Sequence, residues 1–587
     1  MKQLSKNKSY IVLSVIIVSA LLLYTYFFFA KKTGYNCDEI YNMGLANSYY
    51  NPHLYAGNEA DFIKEKNIKA AFNEWTTGEI YHDYVTVQKG QQFSYSSVWY
   101  NLSKDSHPPV YYALLHTISS FFPDTFSPWF ALSINFISFI LTMILLYKTG
   151  CEWGSPVFSL ILCDFYAYSG GAADTYTFIR VYAFSTLLTT AIFYLISRLL
   201  QTMKKRYYLF LFIVTLLASL THYHLILFAF FLTLVTELYL LIKKKWKTFF
   251  ALGFTMLAGV LVSFAIFPDA IYDLFHDSSV FAGQKMSLYY QIRFIRKLVV
   301  AQFTGLELPY MKTYFPIYAR SFLLFAAIIL LVSFFLFRKE KLAPRFFKKV
   351  KEIFWKVIHI IKTLLKRLPY MYDILFLTAL CIYIYYIFSL PAAAMQLNTI
   401  RYFFSFYPLL CLLIFTLGKE FLFSVVHKAI NKKVLLGSTC AVVLICSLFS
   451  NILHTHTFLY DMMPMTGTQM TDLPKDATYI VFAPLAYHRT NYAVDLEGVS
   501  NLYLICQRES ADTAFPASLS TLPESSANEN IYVLLPNDIS SNNIEIMGAR
   551  TNDEWLSMIK SLPYAEEFTW LGTDCVNGYI VEIYQLR

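Results

Sequence analysis

The chain opens on a run of apolar residues, 10–30, with no charge in it, and the same pattern recurs along most of its length. At ~1.5 Å per residue the first run reaches roughly 31 Å, the thickness of a bilayer's hydrocarbon core. Further runs of this kind cover residues 128–147, 156–171, 180–196, 208–221, 225–242, 249–268, 322–337, 374–390, 402–417 and 434–450. Together they predict about eleven membrane-spanning helices. The first is longer than a signal-peptide core and lacks a small-residue cleavage pattern before Lys31, so it reads as an uncleaved anchor. Residues 108–122 form an apolar run too short to cross comfortably. Counting it as a span would also invert every later loop, so it reads as a helix on the outer leaflet.

Beyond residue 451 the pattern changes. Long apolar runs stop, and short β-prone segments at 479–483, 502–506, 531–535 and 579–584 stand between turn residues. The expected organisation is an α-helical polytopic membrane module over residues 1–450, followed by a small extracytoplasmic α/β domain over 451–587. Within the first module, residues 31–127 form an exterior loop with surface helices. Residues 338–368, which alternate basic and apolar positions, form an amphipathic helix on the cytoplasmic leaflet.

Composition supports the class: 56% hydrophobic and 15% charged residues cannot cover a water-soluble surface. The formal charge of +9 would suit a nucleic-acid partner only if it were gathered on one surface. It falls instead in clusters between spans, around Arg198, Lys204, Lys245, Lys349 and Lys432, and all of these lie on one side when the spans alternate from a cytoplasmic N-terminus. The exterior then receives the 31–127 loop, a short turn at 172–179, the junction near His222, the 269–320 loop, the 391–401 turn and the tail. Most of the nine cysteines sit in apolar runs as small hydrophobes. Cys506 and Cys575 are external and able to pair within the tail. No CxxC or HExxH pattern occurs, His222 and His224 point to different helix faces, and no metal ligand is assigned.

Four exterior features carry possible chemistry. Asp38 and Glu39, in CDEIYNMGLANSYY, follow the first span directly. Paired carboxylates beside an apolar wall can divide labour between proton acceptance and holding a partner; equally, they suit an acidic cap on a helix over 40–48. His107, in HPPVYY, precedes Pro108 and Pro109, which fix an extended lead into the surface helix with Tyr111. Arg180, in FIRVYAF with Tyr182, and Arg401, in NTIRYFF, lie at outer mouths of spans. Each arginine alone suits snorkelling into headgroups. Two of them with His222 at one face suit a clamp for phosphate, whose oxygens a guanidinium meets in bidentate fashion.

The order of these motifs, DE after the first span, HPPVYY, Arg-x-Tyr, THY at 221–223 and RYFFSFYP at 401–408, resembles the GT-C membrane glycosyltransferases. The resemblance covers roughly the first 420 residues and lies toward the branch of protein O-mannosyltransferases and lipid A aminoarabinose transferases. It implies transfer of a sugar from a polyprenyl-phosphate donor to a lipid, glycan or protein acceptor of the cell envelope, outside the cytoplasm. In that reading Asp38 is the catalytic acid-base residue and Glu39 its neighbouring acid. Arg180, His222 and Arg401 meet the donor phosphate, while His107, Pro108, Pro109, Tyr111 and Tyr182 shape the site. The wider superfamily leaves a divalent cation open. A non-catalytic polyprenyl-lipid transporter or flippase shares the clamp and is the alternative.

Overall fold

The computed structural model describes residues 6–32, 34–54, 74–105, 107–276, 401, 404–425, 440, 443, 465–483, 486–505, 517–523, 530–536, 552–577 and 579–586. The expected spans at 322–337 and 374–390, most of that at 434–450, and the amphipathic stretch 338–368 lie outside these residues, as does Cys506.

Helix α1 (Lys6–Tyr26) runs on into a wider π-helical turn, Phe27–Lys31, and helix α2 (Cys37–Asn47) follows. Val110–Ser120 forms α3, the helix expected on the outer leaflet. Helices α4 (Trp129–Trp153), α5 (Pro156–Ala167), α6 (Gly170–Thr177), α7 (Tyr182–Thr202), α8 (Arg206–Ser219), α9 (Tyr223–Ile242), α10 (Trp246–Ile266) and α11 (Tyr407–Val425) build the bundle. Among the described residues five helices are long and apolar enough to cross a bilayer, those beginning near Asn7, Trp129, Tyr182, Tyr223 and Trp246. The chain is a multi-pass membrane protein. Large side chains such as Phe254, Leu257 and Leu261 on α10 stay exposed, as a lipid-facing helix requires.

One expected element differs. The exterior turn at 172–179 is instead the helix α6, and every one of its residues is buried. The span expected over 156–171 stops early, because Ser169 accepts a hydrogen bond from the Ala172 amide and so caps a new helix at the Gly170-Gly171 pair. Tyr176 of α6 then packs on Phe139 and Tyr24, with ring centroids 4.8 and 5.9 Å away. This short buried helix delivers Phe178–Arg180 to the base of α2.

The tail is built on a seven-stranded sheet of order β1-β4-β3-β5-β7-β6-β2. β3 (Thr478–Phe482), β4 (Asn501–Ile505) and β5 (Ile531–Pro536) are parallel neighbours and buried along their whole length. Their continuous apolar sequences follow from being covered on both faces. β6 (Phe568–Val576) and β7 (Tyr579–Leu586) form an antiparallel hairpin beside them, and β2 is the short edge Thr466–Gly467. The opposite edge, β1 (Trp75–Thr76), comes from the segment between α2 and α3, so that segment and the tail share one sheet. Gly78 follows, where a Cβ would lie 2.2 Å from the Leu496 carbonyl oxygen, a separation only glycine permits.

Topology is open to direct test. A cysteine introduced at exposed Lys245 is expected to react with an impermeant maleimide only after permeabilisation, and one at exposed Glu566 in intact cells. The opposite pattern would invert the map.

Candidate active site

The carboxylate pair sits in the first turn of α2, and Asn36 is the cap. Its side chain accepts from the Asp38 amide at 3.0 Å, while Glu39 Oε2 accepts from the Asn36 amide at 2.8 Å, a reciprocal capping box. The cap is therefore Asn36 and not an acid: the helix starts three residues before the expected 40, and Asp38 and Glu39 lie inside its first turn. Glu39 is fully buried and its oxygens are spent: Lys32 Nζ donates to both, at 2.5 and 2.6 Å, and the Ile179 amide to Oε1 at 2.9 Å. Asn42 Nδ2 donates to the carbonyl of the same residue, Ile179, at 3.2 Å. Glu39 and Asn42 thus hold the N–H and the C=O of one residue, Ile179, and set the residue after it, Arg180, against α2.

Adjacent helical side chains diverge, so Asp38 faces elsewhere. Arg180 Nη1 lies 3.0 Å from Asp38 Oδ1 and also donates to the Asp38 carbonyl at 3.0 Å; Arg401 Nη2 lies 2.9 Å from Asp38 Oδ2. The Arg401 contact is an ion pair off the hydrogen-bonding direction, and Oδ2 has no aligned donor among the described residues. Arg401 stands in the turn before α11.

Arg180 also reaches His107, Nη2 to Nε2 at 2.8 Å, and His107 Nδ1 meets Asp105 Oδ2 at 2.5 Å. A guanidinium has no acceptor, so Nε2 must accept and Nδ1 must carry the proton that it donates to Asp105. His107 is thereby held as the neutral Nδ1–H tautomer, and a row of four groups, Asp105, His107, Arg180 and Asp38, is fixed in sequence. Burial alone would push the Asp38 carboxyl up; Arg180 and Arg401 outweigh it and hold it below the usual carboxylate range. The carboxyl is therefore ionised at neutral pH.

His222 caps α9, its Nδ1 accepting from the His224 amide at 3.3 Å, and its ring lies 5.8 Å from that of Tyr182. Burial first, with the neighbouring Arg180 and Arg401, pushes its basicity down, so it enters the site as a neutral Nε2–H donor and not as a cation. Tyr182 also packs on Phe178 and Phe404, both at 5.9 Å. Tyr111 is fully buried against Tyr112, at 5.7 Å, and Tyr112 lies 6.1 Å from His107. Pro108 and Pro109 are buried at the start of α3, where the Val110 amide donates to the Leu220 carbonyl at 2.9 Å and ties this lead to the turn before His222.

The structure therefore brings Asp38, Arg180, Arg401, His107 and His222 together and turns Glu39 away into the protein. Asp105, Lys32 and Asn42 complete the arrangement. Asp105 was visible as an acid two residues before His107, whereas nothing local marks Lys32 as the partner of Glu39. Asp38 faces two guanidinium groups and Glu39 an ammonium, which is not a donor set for a divalent cation. Side-chain exposure grades the groups: 5% for Arg180, 16% for Arg401, 20% for Asp38 and 23% for His107. Arg401 is the cation more open to an arriving anion.

No family model matches the chain, and no curated protein matches it in sequence. Among solved structures it is similar to the crystal structure of ArnT from Cupriavidus metallidurans bound to undecaprenyl phosphate. The likeness spans 97% of each chain at 10% identity and a TM-score of 0.46. No residue role follows from a likeness of that strength.

Proposed function

We propose that this chain is a membrane glycosyltransferase that moves a sugar from a polyprenyl-phosphate donor to a hydroxyl of a cell-envelope lipid, glycan or protein on the extracytoplasmic side. The observation that carries the reading is Asp38 between Arg180 and Arg401 at the mouth of the spans. It agrees with the motif order that resembles the GT-C enzymes.

The reaction is an inverting displacement. The acceptor oxygen bonds to the anomeric carbon as the bond from that carbon to the phosphate oxygen breaks; the acceptor proton passes to Asp38, and polyprenyl phosphate leaves with the electron pair. An arriving phosphate competes with Asp38 for Arg401, which frees Oδ2 to take that proton. The charge growing on the leaving phosphate meets guanidinium groups already in place, a form of stabilisation that needs no reorganisation during reaction. His222 adds a neutral donor, and Asp105 with His107 keeps Arg180 aimed. Glu39 acts by holding α2 against Ile179.

The alternative is a polyprenyl-lipid flippase, and one observation favours it: both Asp38 oxygens already face cations, as in a simple electrostatic lock. Purified full-length protein in lipid vesicles, supplied with a polyprenyl-phosphate sugar and a cell-envelope extract, separates the two. Transfer of labelled sugar is expected, and Arg401→Ala is expected to lower donor use about tenfold more than Arg401→Lys, because lysine keeps the charge but loses the planar fork. Lipid movement across the vesicle without transfer would favour the flippase. Equal, near wild-type turnover in both variants would return Arg401 to a headgroup-facing role.

A further inference from the structure

We infer that Asn577, in the tail, is a positioning residue for Asp38 and that holding the α2 N-terminus is the tail's part in the reaction; this rests on the glycosyl-transfer reading. Val576 and Tyr579 are paired in the β6–β7 hairpin, so Asn577 stands in the connection between the two strands, and the sequence Asn-Gly there is the dipeptide that two-residue hairpin turns favour. Asn577 has φ +51°, in the left-handed region. The turn is placed directly on the segment that leads into Asp38.

The first residues of a helix leave backbone N–H groups without intrahelical partners. Here the amides of Asn36, Cys37 and Asp38 each have one, and Asn577 supplies that of Cys37 together with the partner of Tyr35, the residue before the cap. The Asn577 carbonyl oxygen accepts from the Cys37 amide at 2.7 Å, and its Oδ1 accepts from the Tyr35 amide at 3.1 Å. The alternate amides go to α2's own side chains, Asn36 N–H to Glu39 and Asp38 N–H to Asn36. The orientation of the Asn577 amide is fixed by chemistry: Tyr35 N–H can only donate, and the partners of Nδ2 are the Asn491 carbonyl at 2.6 Å and Asp495 Oδ2 at 2.8 Å. Asn491 Nδ2 returns a bond to the Val576 carbonyl at 2.6 Å. One tail side chain therefore joins the lead into α2 to the loop after β3.

The remaining tail contacts act in the same sense. Gly78 N–H donates to the Val499 carbonyl at 2.7 Å, and Arg489 Nη1 to the Leu54 carbonyl, beyond the other end of α2, at 3.0 Å. Both ends of the helix that carries Asp38 are thus approached by the tail, while Glu39 fixes its side toward Arg180. A displacement of about 1 Å at a reacting group can cost on the order of 10²-fold in rate, so contacts to Cys37, directly before Asp38, and to Tyr35 have reach enough to matter.

Asn577→Gly is the informative variant, since glycine adopts the left-handed backbone without strain and keeps the carbonyl while deleting the side chain. In the purified full-length protein, hydrogen exchange at the Tyr35 amide is expected to rise about tenfold, with peptides of β3, β4 and β5 unchanged. In the vesicle assay kcat, referred to folded protein by the amplitude of the melting transition so that loss of active enzyme is divided out, is expected to fall about tenfold while KM for the polyprenyl-phosphate sugar stays within about twofold. Unchanged exchange at Tyr35 overturns the inference. So does faster exchange throughout the tail sheet, which would make the effect general loosening, and so does wild-type kcat in Asn577→Gly alongside a slow Asp38→Asn. Wild-type transfer in both variants would instead sink the role of Asp38, and with it the kinetic half of the inference, leaving the exchange arm to decide whether Asn577 holds the segment.

Discussion

Arg180→Ala is expected to lower transfer on the order of 10²- to 10³-fold, the range seen when one preorganised donor to developing charge is removed. It is also expected to lower stability by about 3–5 kcal/mol, the cost of stripping one partner from a buried ion pair. Both effects come from the same geometry. Arg180 is buried and its guanidinium meets Asp38 Oδ1, the Asp38 carbonyl and His107 Nε2 together. No other described cation replaces all three contacts. Arg180→Lys restores the charge but reaches at most part of that set, so it should recover stability more than rate.

The pH profile of the same variant adds an independent sign. In the wild type the Asp38 carboxyl lies below its ordinary value because cations outweigh burial, so the base is lost only as pH falls through that lowered value. A carboxyl depressed in the folded state contributes stability above its unfolded value, and that contribution disappears as pH falls through the folded one. In Arg180→Ala burial remains and the cation that lowers the carboxyl most is gone, so the carboxyl rises and the acid limb of the rate profile moves to higher pH. Melting temperature and a rate–pH series, both matching the wild type, would remove Arg180 from the site.

The spans were legible because some twenty apolar residues leave few other structures open in lipid. The helices that begin at Trp129, Tyr182, Tyr223 and Trp246 start within three residues of expectation, although the first two run six residues further, to Trp153 and Thr202. Helix α6 was not legible: Ser-Gly-Gly reads as a turn, and its helical state depends on packing against Phe139 and Tyr24, far away in sequence. In the tail, TYIVF, NLYLI and IYVLLP announce buried strands, whereas β6 is masked by Gly572, where the register with β7 shifts. The candidate site was legible as motifs but not as a division of labour. Asp38 and Glu39 look alike in sequence; only the fold sends one to Arg180 and Arg401 and the other to Lys32 and Ile179. The Asn577 contact with Tyr35 joins residues 542 apart, and no local pattern encodes that.

Asp38→Asn carries the functional reading. Asparagine keeps the size and an acceptor oxygen for Arg180 but removes the base, and the expected loss of transfer is on the order of 10²-fold or more, the lower end of what a general base contributes. The helix should persist, since Asn36 supplies the cap and the Asn36–Glu39 box is untouched. Donor binding separates chemistry from structure. The wild-type carboxylate competes with phosphate for Arg401, so its neutral replacement should bind a polyprenyl-phosphate probe as tightly as the wild type or more tightly, even as transfer fails. A purely structural Asp38 predicts the reverse: looser binding and poorer melting together, with the transfer that survives proportional to folded protein. Asp38→Glu preserves charge while moving the carboxylate outward, and should fall between, because a base displaced by about one methylene no longer meets the acceptor proton. An Asp38→Asn protein that melts, binds and transfers like the wild type would exclude Asp38 from the reaction, leaving the arginine pair as a phosphate lock and the flippase as the better account.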